Sequence, residues 1–318
     1  MIPEPYNATM SQAKAETVSR LAAGLSFVDL LFRGHPRNIA SVVVVGSEVA
    51  IIDPGPGVTL PALKARLAAL GVSVRDVRAI LLTHIHLDHA GATGALLREQ
   101  PEMRVYVHER GARHLIDPSK LLASATMLWG DVTLGLWGEM VPVPESAIQV
   151  LKGGEQVAAG GRVFEVAYTP GHASHHVSFF DRASGVAFVG DTAGVRLAEG
   201  GVVLTPTPPP DIDIPLWLAS LDTIEQWRPA SLLITHFGHV STVGSHLAAL
   251  RENMAWATAL CRESLAMEGD DAERAAWFVE QVRGELRRRL GEAHAAMYEV
   301  SARFDLNWRG LARYLRKP

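Results

Sequence analysis

Cysteine is nearly absent: Cys261 is the single one in 318 residues. A disulfide framework, a Cys-ligated iron–sulfur cluster and a Cys-rich zinc finger each need several thiols, so all three are excluded. Long apolar runs are missing as well. None approaches the roughly 18–20 residues that span a bilayer, so no membrane partner is expected. The opening MIPEPYNATMSQ has neither a basic stretch nor an apolar core. No secretory leader is therefore expected, and a lone thiol suits a cytoplasmic setting. Excess positive charge is lacking too: 30 Lys and Arg stand against 34 Asp and Glu, a formal charge of −4. That balance argues against a nucleic-acid partner held through its phosphates. What is present, 48% hydrophobic and 20% charged residues, is ordinary globular composition. The oddity is histidine, with 13 residues of which several cluster.

The pattern along the chain predicts three segments. Residues 1–23 are polar and Ala-rich, a helical or loose arm. Over 24–243, apolar strand-like runs alternate with amphipathic helices. LSFVDLLF (25–32), IASVVVVG (39–46) and EVAIID (48–53) read as strands, the last two joined by a hairpin at Gly46-Ser47. A helix is predicted over 59–71, with Thr59 as cap and Gly71 as stop. RAILL (78–82) is a continuous apolar run, as expected of a strand buried on both faces. This alternation predicts a layered α/β architecture. Residues 110–147, rich in Leu, Met, Trp and Gly, read as a mostly helical insertion. TPTPPPDIDIP (205–215) reads as a loop, because proline there removes donors and fixes φ. Residues 244–318 read as a helical C-terminal region.

The sharpest motif is THIHLDHAG (83–91), which follows the buried run directly. Ligands in α/β sheets bind beyond the carboxyl ends of strands. A chance His-x-His-x-Asp-His match in such a chain is expected on the order of 10⁻³ times. Neutral imidazole nitrogen and carboxylate oxygen suit zinc and similar divalent ions. In an extended loop His84 and His86 point the same way, and a turn after them lets Asp88 and His89 face a second ion. Further ligand types end other apolar runs: His172 in TPGHASHH, Asp191 in VGDTAG and His236 in ITHFGH. Alone, each reads more readily as structural; together they point to one centre.

The order His-x-His-x-Asp-His, His, Asp, His resembles the metallo-β-lactamase superfamily over roughly residues 25–240. The resemblance implies a four-layer αββα sandwich with a dinuclear site at one edge. His84, His86 and His172 would hold one metal, Asp88, His89 and His236 the other, and Asp191 would bridge them. Zinc is the expected metal; iron or manganese fit the same ligands. Such a pair of cations acidifies a shared water, which implies hydrolysis of a carboxylic ester, lactone or thioester. Asp88 is the candidate proton carrier. The alternatives are phosphotriester or phosphodiester hydrolysis at the same metals, and a non-catalytic metal-binding module. DHAG is similar to both glyoxalase II-like thioesterases and acyl-homoserine-lactone lactonases. The lactonase pattern of a Tyr after the bridging Asp is not met, since Thr192 and Ala193 follow. The proline-rich loop and helical tail look similar to phosphotriesterase-like lactonases. Met127, Trp129, Trp137 and Phe237 are candidate walls of a substrate pocket, and His239 could orient a ligand. His175 and His176 are read as non-ligands. RGELRRRL (283–290) reads as a solvated helix face. The C-terminal helices could cap the site or form a homodimer interface.

Overall fold

The computed structural model describes residues 18–197 and 201–317. In chain order the strands of the first half are β1 (Val18–Ala22), β2 (Leu25–Asp29), β3 (Ala40–Val45), β4 (Val49–Ile52), β5 (Val77–Leu81), β6 (Arg104–His108) and β7 (Ile148–Leu151). Its helices are α1 (Leu60–Ala69), α2 (Leu87–Ala90), α3 (Thr93–Glu99), α4 (Glu109–Ile116), α5 (Ser119–Trp129) and α6 (Thr133–Trp137). The second half contributes β8 (Gln156–Ala159), β9 (Arg162–Tyr168), β10 (Val177–Asp181), β11 (Val186–Gly190), α7 (Ile214–Gln226), β12 (Ser231–Ile234) and β13 (Gly238–Val240). Four helices follow: α8 (Val243–Ala266), α9 (Asp271–Leu290), α10 (Glu292–Ser301) and α11 (Phe304–Leu315).

Among the described residues the strands form a seven-stranded sheet in simple order β1 to β7 and a six-stranded sheet ordered β13-β12-β11-β10-β9-β8. Period-two alternation assigns each strand two faces. Val42 and Val44 of β3, with Ala50 and Ile52 of β4, meet Phe179 and Phe188 of the second sheet. The intervening Val43 and Ile51 turn outward onto Leu63 and Leu67 of α1 and Leu96 of α3. In the second sheet Ala187, Val189, Leu232 and Ile234 turn outward onto Trp217 and Leu221 of α7 and Leu247 and Leu250 of α8. Three apolar layers thus separate helix, sheet, sheet and helix, the four-layer sandwich with a helical C-terminal region.

The C-terminal helices form a further apolar cluster around Phe278, Tyr298, Phe304 and Trp308, which also takes in Val195, Leu204 and Phe237 of the sandwich. Polar bonds fasten this region to the proline-rich loop and to the residues just before it. Asn307 Oδ1 accepts from the Thr207 backbone N–H at 2.8 Å, and Tyr298 donates its hydroxyl to Val202 O at 2.7 Å.

Three elements differ from expectation. Residues 1–17 of the expected arm lie outside the described residues, but Val18–Ala22 is neither helix nor loose arm. It pairs antiparallel with β2 as an edge strand. Its residues are mostly half-buried, so the sequence carries no apolar alternation to announce it. Strands β7 and β13 also escape sequence reading, being four and three residues long. Residues 109–137 carry α4, α5 and α6, and residues 243–315 carry α8 to α11, the expected helical C-terminal region.

Candidate metal centre

Five strand ends of the two sheets deliver the site. After β5 the chain runs extended through His84 to His86, then turns into α2, where Asp88 and His89 occupy one helical turn. β9 leads to His172, β11 to Asp191 and β12 to His236, while β4 ends at Asp53. Glycine is required at two of these points. Gly171 sits at φ 134° against α7, and a Cβ there would lie 2.3 Å from Trp217 Cα. Gly190 sits at φ 46°, and a Cβ would lie 2.5 Å from Thr83 Oγ1 and 2.7 Å from His176 Nε2. Both glycines let ligand-bearing loops close onto their neighbours.

The seven expected side chains fall into two adjoining groups. His84, His86, His172 and Asp191 form one, and Asp88, His89 and His236 the other; within each, a nitrogen or oxygen from every member lies within 4.8 Å of the rest. Asp191 joins the groups. Its Oδ2 lies 3.3 Å from His172 Nε2, while Oδ1 lies 3.2 Å from His89 Nε2 and 3.5 Å from His236 Nε2. Asp88 Oδ2 is 3.3 Å from His236 Nε2.

Backbone carbonyls set the imidazole tautomers, because a carbonyl oxygen only accepts. His172 donates Nδ1–H to Pro206 O at 2.9 Å, and His236 donates Nδ1–H to Asn38 O at 2.8 Å. Each then turns a bare Nε2 toward Asp191. His86 Nδ1 lies 3.0 Å from both His84 Nε2 and His172 Nε2.

A divalent cation suits this arrangement. His89 Nε2 and Asp191 Oδ1 are buried and have no hydrogen-bond partner, and two imidazole nitrogens crowd around His86 Nδ1, which has at most one proton to give. Burial, then neighbouring imidazoles, hold His84 well below the ordinary histidine value, and the same causes bring His86 down to about 4. In the other group burial works against charge on His89 and His236, but Asp191 and Asp88 outweigh it and raise both. Asp88 is brought down to about 2, against its burial, by His89 and His236. The buried carboxylates draw positive charge into the centre, and cations supply it with no need for protonated imidazole.

Asp53 belongs to this site and was missed by sequence reasoning. It is buried at φ 50°. Oδ1 accepts from the Thr83 N–H at 2.8 Å. Oδ2 accepts from Thr83 Oγ1 at 2.6 Å and from His89 Nδ1 at 2.9 Å. It thereby orients His89 and ties β4 to the loop after β5. A signal existed: Asp53 ends an apolar run, as Asp191 does.

A cavity of about 940 Å³ opens over the centre. Asp88, Asp191 and His236 line its floor, and Trp129 and Trp137 its wall. Two expected wall residues lie elsewhere. Met127 is 77% exposed and outside the lining, because it sits on the opposite face of α5 from Leu128 and Ala125. Phe237 follows a candidate ligand, yet its ring packs edge-on to Phe27, with centroids 5.9 Å apart, and under the Arg37 guanidinium. Phe237 lies in the turn between β12 and β13 and joins the helical cluster around Phe278 and Tyr298. His175 lines the cavity and His239 lies exposed on β13. Arg288 and Arg289 on the exposed face of α9 pair with Glu285. Cys261 is buried and its thiol is pushed up to about 11 by burial.

This fold and centre define a protein of the metallo-beta-lactamase class. The family model of the metallo-beta-lactamase superfamily matches residues 35–239, and the chain belongs to that superfamily. It is 33% identical over 165 residues to the metallo-beta-lactamase fold-containing protein ST1585 of Sulfurisphaera tokodaii, covering 51% of this chain and 61% of that protein. It is 32% identical over 158 residues to a hydroxyacylglutathione hydrolase of Synechococcus sp., covering 48% and 49%. The matches thus span about half to three fifths of these relatives. A solved metallo-beta-lactamase family protein, TTHA1429 from Thermus thermophilus, superposes with a TM-score of 0.69 at 24% identity, covering 93% of this chain and 94% of the other. That likeness is one of fold and extends to the C-terminal helices.

Proposed function

We propose that this chain is a dinuclear-metal hydrolase acting on a carboxylic ester, lactone or thioester. One observation carries the reading: the two oxygens of Asp191 divide between His172 on one side and His89 and His236 on the other. A carboxylate so placed suits a bridging ligand. His84, His86 and His172 would hold one cation, and Asp88, His89 and His236 the second. Zinc is the metal we assign, since imidazole and carboxylate donors suit it. When bound, the ions supply Lewis acidity and an acidified water.

The chain's own groups then have separable tasks. Asp53 and the carbonyls of Pro206 and Asn38 fix the rings before substrate arrives. Asp88 lines the cavity and its side chain is 20% exposed. One oxygen faces His236, and the other is available to carry a proton to the leaving group. Trp129, Trp137 and Leu306 give the substrate an apolar wall. The likeness to a protein named hydroxyacylglutathione hydrolase supports a thioester among the candidate substrates.

The test pairs metal analysis with a substrate panel. Purified protein should carry two divalent ions per chain and hydrolyse members of a panel of aryl esters, lactones and thioesters in preference to phosphodiesters. Asp191→Asn should lower kcat/KM by about 100-fold or more and reduce the metal content. Full turnover in that variant, or saturation at one ion in the parent, refutes the reading.

A further inference from the structure

Residues 37–40, which lead into β3, bond alternately to the two sheets. The Arg37 N–H donates to Asp29 Oδ2 at 2.7 Å, and Ile39 O accepts from the Leu30 N–H at 3.0 Å. Both bonds run back to the end of β2 in the first sheet. Asn38 O accepts from His236 Nδ1 at 2.8 Å, and the Ala40 N–H donates to Thr235 O at 2.8 Å. These two run to the end of β12 in the second sheet. The four residues form a seam between the sheets, and one of its bonds holds a candidate ligand.

Asp29 secures the seam where it begins. The residue is buried, and its Oδ1 accepts from the Leu31 N–H at 2.9 Å. An aspartate bonded to the amide two residues on is an ordinary turn device. The bond to Arg37 is not local, since it closes a loop of eight residues. That loop has an unfavourable backbone. Leu31, Arg33 and Arg37 sit at φ 49°, 55° and 60°, in the left-handed region that residues other than glycine avoid. Such conformations persist where the surroundings over-determine them. Here one carboxylate grips the loop at both ends. The Arg37 side chain extends the grip: Nε donates to Leu197 O at 2.6 Å, and the guanidinium lies 5.0 Å from the Phe237 ring centroid. Next to Leu197, the Arg196 N–H donates to His236 O at 2.5 Å, and Arg196 O accepts from the Phe237 N–H at 3.2 Å. His236 is thus held by its ring from one side and by its backbone from the other.

We propose that Asp29 is a positioning residue of the metal centre: by holding the Arg37 amide it places the Asn38 carbonyl, which sets the tautomer and direction of the His236 ring, and so it strengthens the binding of a cation by Asp88, His89 and His236. The proposal rests on the dinuclear reading for the existence of that cation. The other group of ligands has its own anchors. His172 bonds to Pro206 O, and His84 Nδ1 lies 3.1 Å from Thr83 Oγ1. Its cation should not feel the loss of Asp29.

The experiment titrates metal-free protein with Co²⁺ and follows visible absorption, a readout that needs no turnover. The parent should bind two ions. His236→Ala deletes a ligand and should keep one, which identifies the absorption of the other. Asp29→Ala should weaken the ion that His236→Ala loses by about 10–100-fold and leave its neighbour unchanged. Asp29→Asn keeps one acceptor oxygen and should fall between the parent and Asp29→Ala. Leu67→Ala, a buried change on α1 outside the seam, should lower the denaturant midpoint and leave both ions bound as in the parent. Unchanged binding of that ion in Asp29→Ala, or equal weakening of both ions, overturns the proposal and leaves the dinuclear reading intact. A parent that saturates at one ion overturns that reading and the proposal with it. If Asp29→Ala does not fold, hydrogen exchange in the parent decides, because a segment that strengthens a site is strengthened by its occupation in return. Filling the site of Asp88, His89 and His236 should slow exchange of the Arg37 amide by about fivefold or more. An Arg37 amide that exchanges equally fast with one ion and with two overturns the proposal.

Discussion

Asp53 shows how one side chain can govern a site without facing the substrate. Its oxygens accept from the Thr83 amide, the Thr83 hydroxyl and His89 Nδ1. An amide at this position has one acceptor oxygen and turns an NH₂ toward one of those donors. Asp53→Asn should therefore leave the fold intact but lower metal content and reduce kcat/KM by about 10–100-fold. Elemental analysis beside steady-state kinetics checks this; full metal content with unchanged turnover would show that Asp53 only braces the loop. The histidines of residues 83–91 were legible because their spacing is local and improbable by chance. Asp53 was not, because a single aspartate before a Pro-Gly turn is also what an ordinary strand end requires. Phe237 shows the reverse error. Adjacency to a candidate ligand suggested the pocket, but in the turn after β12 the Phe237 ring packs against Phe27 and the C-terminal helices instead.

Elements explain how the loops are held. Helix α8 begins against the turn that carries Asp191: His246 is buried and donates Nε2–H to Ala193 O at 2.7 Å. Burial lowers the His246 pKa from its ordinary 6.5 to about 4. The sign follows. Above pH 6.5 neither folded nor unfolded chain protonates this ring, so it adds no pH dependence. Between 6.5 and about 4 only the unfolded chain takes up the proton, and stability falls as pH falls. Below about 4 both states are protonated and the contribution levels off. The slope approaches about 1.4 kcal/mol per pH unit inside that window. His246→Gln keeps a donor for Ala193 O and removes the titration. Its denaturant midpoint should depend less steeply on pH between 6.5 and 4 than the parent's, the other titrating groups being common to both. Parallel pH profiles for the two proteins would exclude His246 as a source of acid sensitivity. The main strands and helices were readable because apolar period and turn residues agree locally. β1 and β13 were not, since an edge strand with half-buried residues and a three-residue strand owe their form to their partners.

At the scale of the molecule, the C-terminal helices are part of the site's construction. Val300, Ala302, Arg303 and Leu306 wall the cavity, and Asn307 bonds to the backbone of the loop that runs past His172. Gly310 approaches that loop so closely that a Cβ would lie 1.9 Å from Thr207 O. Asn307→Ala leaves the buried Thr207 amide without its acceptor and should destabilise the protein by about 1–3 kcal/mol. It should also raise KM more than it lowers kcat, because it loosens the wall and touches no candidate ligand. Denaturant melts and initial-rate kinetics read both effects. An unchanged KM would mean that the loop keeps its position without this anchor.

By itself the sequence determined the kinds of donor atom, their order along the chain and the alternation of strands and helices, because contiguous residues and their immediate neighbours set these. Only the tertiary structure decided that one oxygen of Asp191 faces His172 and the other His89 and His236, that Asp53 steers His89, and that residues 300–307 complete the cavity. Those relations join side chains far apart in sequence, and their distances depend on how two sheets and a helical cluster pack, which no local pattern encodes.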